Sequence, residues 1–250
     1  LDRIGLAPEW MPEVVRAGAD AGVLRSDVAR KLHLPDRCRF VVGCLDQYAG
    51  AIGAGNVAPG AVSETTGTVL ATVCCSGACT VTDGREIFRG PGYAQGVYYE
   101  CEELDHVAAR EDAGGESLHL PNHCDEVALM KFIQTHARDC GRGDMTRAIL
   151  ERVAFALHNQ VNTVCGDARP KEIVCVGGAA RSKLWRQIKA NVLGIPTVAL
   201  ACPEPTSLGA AMLAMGAITG TSIPDLASKL VKRREVIQPD VAEYNAYAAI

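Results

Sequence analysis

The chain has 250 residues, 48% of them hydrophobic and 22% charged, enough to bury one sizeable core or two modest ones. Its formal net charge of -4, with basic residues dispersed along the sequence, excludes nucleic acid or an anionic membrane as the main partner, since both call for a concentrated basic surface. No apolar run approaches the ~20 residues that span a bilayer, and "LDRIGLAPEW" has neither the charge pattern nor the apolar centre of a signal peptide, so the expected compartment is cytoplasmic.

In chain order, "RFVVGC" (39 to 44) reads as a short buried strand and "DQYAGAIGAG" (46 to 55) as the start of a helix of small residues. "SETTGTVLATVCCSG" (63 to 77) is a Thr/Gly turn feeding a β segment, and "AQGVYYE" (94 to 100) is a further strand. Residues 101 to 124 are polar and aperiodic and read as loop with short helices. Helices are expected at 125 to 137 and 145 to 165, the second with Ile149, Val153, Leu157, Val161 and Val164 along one face. "KEIVCV" is a strand, 182 to 193 a helix, 197 to 201 a strand, and 206 to 218 a helix capped by Thr206 or Ser207. "VKRR" near the C-terminus, the one compact cationic run, reads as a solvated helix end. This β-α-β-α ending favours an α/β fold with a largely parallel central sheet.

Eleven cysteines, an odd number set in apolar segments, read as small buried thiols and not as a disulfide framework. Cys74, Cys75 and Cys79 with His123 and Cys124 lack the paired CxxC or spaced His pair of a zinc site.

Three short features can carry chemistry. Gly177 and Gly178 stand where a buried strand hands over to a helix, the place where open α/β sheets bind ligands. Without Cβ atoms they let phosphates or a sugar approach the backbone, and the helix near Ser182 offers free N–H groups. A tight turn without a ligand accounts for the pair equally. "TTGT" (65 to 68) sets hydroxyls around a glycine and suits phosphate oxygens, or an ordinary hairpin. Asp46 precedes a helix and reads as an N-cap, or as a general base beside a substrate hydroxyl. Gln47 hydrogen-bonds a polyol or faces water.

The ordered set "IGLAPEWMPEVVRAGADAGVL", "VVGCLDQYAGAIGAG", "SETTGTVLA" and "VGGAARSKLWRQIKANVLGIPT…EPTSLGAAMLA" resembles the C-terminal half of the FGGY family of carbohydrate kinases, along nearly the whole chain. The resemblance implies an actin- and hexokinase-like fold of ribonuclease H-like domains, with the active site in the cleft between them. It implies transfer of the ATP γ-phosphate, with Mg2+, to a sugar or polyol hydroxyl. Asp46 matches the catalytic base, and Asp46 and Gln47 match positions that contact substrate. Gly67 and Thr68 match the residues around the transferring phosphate, while Gly177, Gly178 and Ser182 line the adenosine pocket. No residue of the chain is assigned to the metal.

On this reading residues 1–56 are the tail of the family's N-terminal domain, and 57–250 are the C-terminal nucleotide-binding domain. The Asp-Gly-Thr phosphate loop and the metal-holding aspartate belong to the domain that would precede the chain. The stretch after "GVYYE" is shorter than in the family and lacks its Pro-Tyr-Leu-x-Gly-Glu-Arg type segment. The expectation is therefore a kinase fragment, with a non-catalytic nucleotide- or sugar-binding remnant as the alternative. An unpaired strand edge near 39 to 44 invites self-association into a homo-oligomer.

Overall fold

The computed structural model describes residues 5–67, 69–78, 87–105 and 141–249. Strands rich in β-branched and small residues, β3 (Val62–Thr66), β4 (Val69–Ser76), β5 (Phe88–Pro91), β6 (Tyr98–Asp105), β7 (Ile173–Val176), β8 (Thr197–Leu200) and β9 (Arg233–Ile237), form one sheet in the order β5-β6-β4-β3-β7-β8-β9. β3, β7 and β8 run parallel, and the other pairings are antiparallel. Antiparallel strands β6, β4 and β3, with β7 parallel against β3 and β8 parallel against β7, agree with the expected ribonuclease H-like arrangement. Every residue of β7 and β8 is buried, as expected of parallel strands covered on both faces.

Helices cover the two faces. On one lie α3 (Arg142–Cys165), α4 (Lys183–Leu193) and α7 (Val241–Ala248), where Val153, Leu157 and Val161 meet Val62, Ile173 and Ile188. On the other lie α2 (Asp46–Ala54), α5 (Pro205–Thr219) and α6 (Ile223–Leu230), where Tyr48 and Ile52 meet Cys75, Tyr99, Cys101 and Met212. α2 and α5 touch through backbone. A Cβ on Gly53 would lie 1.8 Å from Pro205 O, and one on Gly209 would lie 1.9 Å from Ala49 O, so only glycine fits at either position. The run of small residues read from 46 to 55 is thus the contact surface of a helix pair.

Several expectations are corrected. The strand expected at 39 to 44 is a three-residue element, β2 (Arg39–Val41), paired only with β1 (Asp20–Val23). It is exposed and not buried, with Phe40 57% accessible. The short helix α1 (Ser26–Lys31) joins the two. Around this arm Trp10, Val14, Val23, Leu32 and Phe40 all face solvent.

The strand expected at 94 to 100 starts at Tyr98 and runs on to Asp105, through the acidic stretch read as loop. Pairing along the whole of β4, from Val69 with Asp105 to Ser76 with Tyr98, outweighs the weak strand propensity of Glu. The last helix expected at 206 to 218 starts at Pro205 after Glu204, not behind a Thr206 or Ser207 cap. Proline suits a first helical position, where an N–H has no partner in any case. "VKRR" is not a helix end: α6 stops at Leu230, Lys232 O accepts the Ala201 N–H, and Arg233 and Arg234 belong to edge strand β9, where charge discourages further pairing. The helix expected at 125 to 137, together with Cys79, His123 and Cys124, falls outside the described residues.

Candidate active site

The two glycine turns, separated in sequence by more than 100 residues, lie side by side. β3 and β7 are parallel neighbours, with Thr65 opposite Val176, so each ends at the same edge of the sheet and passes into its glycine, Gly67 or Gly177. Gly177 has φ +78°, and a Cβ there would sit 3.2 Å from Thr65 Cγ2 and 3.4 Å from Thr66 O. It is glycine for its backbone conformation and for its close approach to the Thr65–Thr66 peptide. Gly178 and Gly67 are exposed, and a Cβ at either would meet nothing within 4 Å. The Gly67 N–H donates to Val69 O at 3.1 Å and so closes the turn. Thr68 lies outside the described residues.

Beyond Gly178 the chain makes a 3-10 turn (Gly178–Arg181) before α4 begins. Ser182 caps α4, its Oγ accepting the Trp185 N–H at 3.2 Å. That hydroxyl is committed to the helix, while the backbone of the 3-10 turn borders the cleft. The cleft at the carboxyl ends of β7 and β8 measures about 60 Å³ and is lined by Gly177, Ala180, Arg181, Cys202, Pro203 and Arg234, among others. It is a shallow bed, far below the roughly 300–1,000 Å³ of an enclosing ligand pocket. A larger hollow, of about 640 Å³, lies beside Ala54, Gly60 and Lys171, at the amino ends of β3 and β7 and away from these turns.

Asp46 stands at the first position of α2 and not as its N-cap, which is Leu45. The helix ends at Gly55 and Asn56, whose Nδ2 donates to Ser63 Oγ near the start of β3 at 3.0 Å. Its first turn therefore points toward the end of the sheet that carries Gly67 and Gly177. Asp46 is exposed, and its Oδ1 accepts the Gln47 N–H at 2.9 Å. Its charge is felt beneath the helix. Burial pushes the Cys101 thiol up to about 12, with Glu103 and then Asp46 adding to the effect, and burial followed by Asp46 raises Cys44 to about 11. Gln47 is half-buried, and its Oε1 is buried with no hydrogen-bond partner among the described residues.

One buried group escapes the sequence reading. Lys189 of α4 and Glu64 of β3 form an ion pair at 2.8 Å with both side chains fully buried, directly under the Thr65–Thr66 peptide. The signal is present in the sequence: Trp185, Ile188, Lys189, Val192 and Leu193 share one helical stripe, and a lysine in an apolar stripe calls for a buried partner. Nearby Arg186, 1% exposed, is paired through one nitrogen with Glu235, while its Nε and second terminal nitrogen have no acceptor among the described residues. Among the described residues no group of three or more His, Cys, Asp or Glu side chains could hold a metal ion, and no helix is long and apolar enough to cross a membrane.

Comparison with known proteins extends this picture. Residues 31–218 match the family model for the C-terminal domain of the FGGY family of carbohydrate kinases. The chain is 29% identical over 256 residues to an L-fuculokinase from Salmonella typhi, covering 91% of this chain and 54% of that protein. It is 25% identical over 293 residues to an autoinducer-2 kinase from Escherichia coli strain K12, covering 99% of this chain and 55% of that protein. The chain thus spans about half the length of the curated relatives it matches. The second alignment is longer than the 250-residue chain, so that kinase carries residues inside the aligned span which have no counterpart in this sequence. The fold is similar to that of a ligand-bound xylulose kinase from Lactobacillus acidophilus, with a TM-score of 0.79 at 17% identity, covering 99% of this chain and 57% of the other.

Proposed function

Because the chain belongs to the FGGY family of carbohydrate kinases, we propose that it supplies the nucleotide-binding half of an enzyme that transfers the ATP γ-phosphate to a sugar or polyol hydroxyl. The nucleotide-binding domain takes in residues 57–250 and also α2, which packs on the same sheet and meets α5 through backbone. The observation that carries the reading is the meeting of Gly67 and Gly177 at the carboxyl ends of adjacent parallel strands, with Asp46 on the helix that starts toward the same end.

Each residue has a task this placement allows. The open backbone at Gly178 and the 3-10 turn bed the adenosine, and the exposed turn at Gly67 faces the phosphates. The carboxylate of Asp46 accepts the proton of the attacking hydroxyl as oxygen bonds to phosphorus. Gln47 Oε1 accepts a hydrogen bond from a neighbouring substrate hydroxyl, which satisfies an atom without a partner among the described residues. Mg2+ would neutralise charge on the phosphates, and among the described residues no group of three or more His, Cys, Asp or Glu side chains could hold it.

Phosphoryl transfer draws its catalysis from groups on both sides of a closed site, and this cleft is one wall. The chain by itself therefore binds adenine nucleotide weakly and does not turn over sugar. Names among its relatives, L-fuculokinase and autoinducer-2 kinase, make L-fuculose and autoinducer-2 the first acceptors to try. The test is calorimetric titration of the monodisperse chain with Mg-ADP, repeated on Gly178→Val. Binding that the variant loses supports the reading, and no binding by a demonstrably folded parent sinks it.

A second reading, a non-catalytic remnant that binds nucleotide or sugar, draws support from the residues that relatives carry and this chain lacks within the aligned span. It predicts no release of ADP from ATP with any acceptor, even when an N-terminal half from a relative is supplied in trans.

A further inference from the structure

Under the Gly67 turn lies a charged group with no part in the mechanism above. Lys189 Nζ and Glu64 Oε1 are 2.8 Å apart, and Thr66 closes a triangle with them. The Thr66 hydroxyl donates to Glu64 Oε2 at 2.6 Å and accepts from Lys189 Nζ at 2.7 Å. The Trp185 ring lies 5.0 Å from the same Nζ. Taking two opposite charges out of water has a desolvation cost that their attraction at best offsets, and an apolar pair of similar volume would join α4 to β3 at least as firmly. Adhesion is therefore a poor account of the network.

Direction is a better one. Two hydrogen bonds fix the side chain of Thr66, and a third ties their far partners, Lys189 and Glu64, to each other. Thr66 is the residue immediately before Gly67 and the one whose carbonyl faces Gly177. We propose that Lys189 and Glu64 are positioning residues that act through Thr66 Oγ1 to hold the Thr65–Gly67 turn against Gly177, so that the turn is ordered before any phosphate arrives. Lys189 sits on the helix capped by Ser182, so one element sets both sides of the cleft. A phosphate-binding turn held in advance spends none of the ligand's binding energy on ordering itself. The benefit to phosphate binding rests on the nucleotide reading, whereas the mechanical claim does not.

Thr66→Val keeps the volume and removes the hydroxyl, and Thr66→Ser keeps the hydroxyl. Amide hydrogen exchange of Gly67, whose N–H closes the turn onto Val69 O, reads the turn in the free chain. Thermal melting certifies each variant as folded. Thr66→Val is expected to speed Gly67 exchange by about tenfold or more and to weaken Mg-ADP by a similar factor, with amides inside β7 unchanged and Thr66→Ser close to the parent. Should Thr66→Val fail to fold, the double variant Lys189→Met with Glu64→Leu, which removes both charges, loosens the same amide. Unchanged Gly67 exchange in a folded variant overturns the proposal. A parent that binds no Mg-ADP sinks the nucleotide reading, while the exchange result still decides the positioning claim.

Discussion

Gly53 of α2 and Gly209 of α5 are in mutual backbone contact, so close that a Cβ on Gly209 would fall 2.9 Å from Gly53 N and 1.9 Å from Ala49 O. No flexible side chain can yield there. Gly209→Ala must separate the two helices and is expected to destabilise the protein by about 3 kcal/mol or more, read by urea denaturation. Gly67→Ala, open on all sides, should change stability by no more than about 1 kcal/mol. A loss below about 1 kcal/mol at Gly209 would show that the helices do not meet as described.

The neighbouring glycines 177 and 178 separate fold from binding. Gly177→Ala places a side chain at φ +78° against Thr65 and should cost about 1–2 kcal/mol in stability as well as nucleotide affinity. Gly178→Val enters open space, so its melting curve should match the parent while Mg-ADP binding disappears. Equal melting losses for the two variants would contradict the geometry.

Asp46→Asn should leave both melting and Mg-ADP affinity nearly unchanged, because Asp46 is exposed and among the described residues its carboxylate accepts only the next residue's N–H. Its effect belongs to transfer. Where the parent, mixed with a separately expressed N-terminal half of the Salmonella typhi L-fuculokinase, releases ADP in the presence of a sugar, the variant should be slower by about 10²–10⁴-fold. Equal rates would remove Asp46 from the mechanism.

How much of this is legible in the sequence varies with the range of the forces involved. The helices and strands between 145 and 219, and the glycine turns, announce themselves through local periodicity and punctuation, and they stand within a few residues of where those signals place them, whereas α6, β9 and α7 beyond them have no counterpart in the sequence reading. β6 reads short because the acidic run after Tyr99 looks like loop until its pairing with β4 is known. Asp46 reads as a cap, since a strand-to-helix Asp usually is one, but Leu45 occupies that position. The Glu64–Lys189 pair spans 125 residues, and nothing near either one names the other. Its helical half is visible as a lysine out of place in an apolar stripe.

That pair gives a further stability prediction. Lys189→Met leaves a buried carboxylate without its cation and should cost about 3–5 kcal/mol, whereas adding Glu64→Leu should return most of the loss. Chemical denaturation of the single and double variants measures both. A double variant no better than the single would mean that packing, not charge, governs the site.

Glu235 links stability to acid. Hydrogen bonds from Arg186 and, secondarily, Lys183 hold its carboxyl below the ordinary 4.5, so the folded state favours the ionised form. The stabilisation is present above that value and is lost as pH falls below it, through the depressed folded pKa. Glu235→Gln, which strands the buried Arg186, should be less stable near neutrality, and its stability should fall less steeply than the parent's below pH 4.5. Parallel pH profiles would dissociate Glu235 from the acid transition.

The arm around β1 and β2 bears on handling as much as on chemistry. Trp10 at 70%, Val14 at 91% and Phe40 at 57% accessibility place greasy surface on a chain whose net charge is only -4, too little repulsion to keep copies apart at high concentration. Salting-out anions such as sulfate strengthen the tendency of such surface to hide from water, and dilute, low-salt buffers weaken it. Exposed apolar groups elsewhere, Phe88, Leu184 and Val241 among them, add to this surface, so the arm is a large but shared contributor to the colloidal behaviour of the chain.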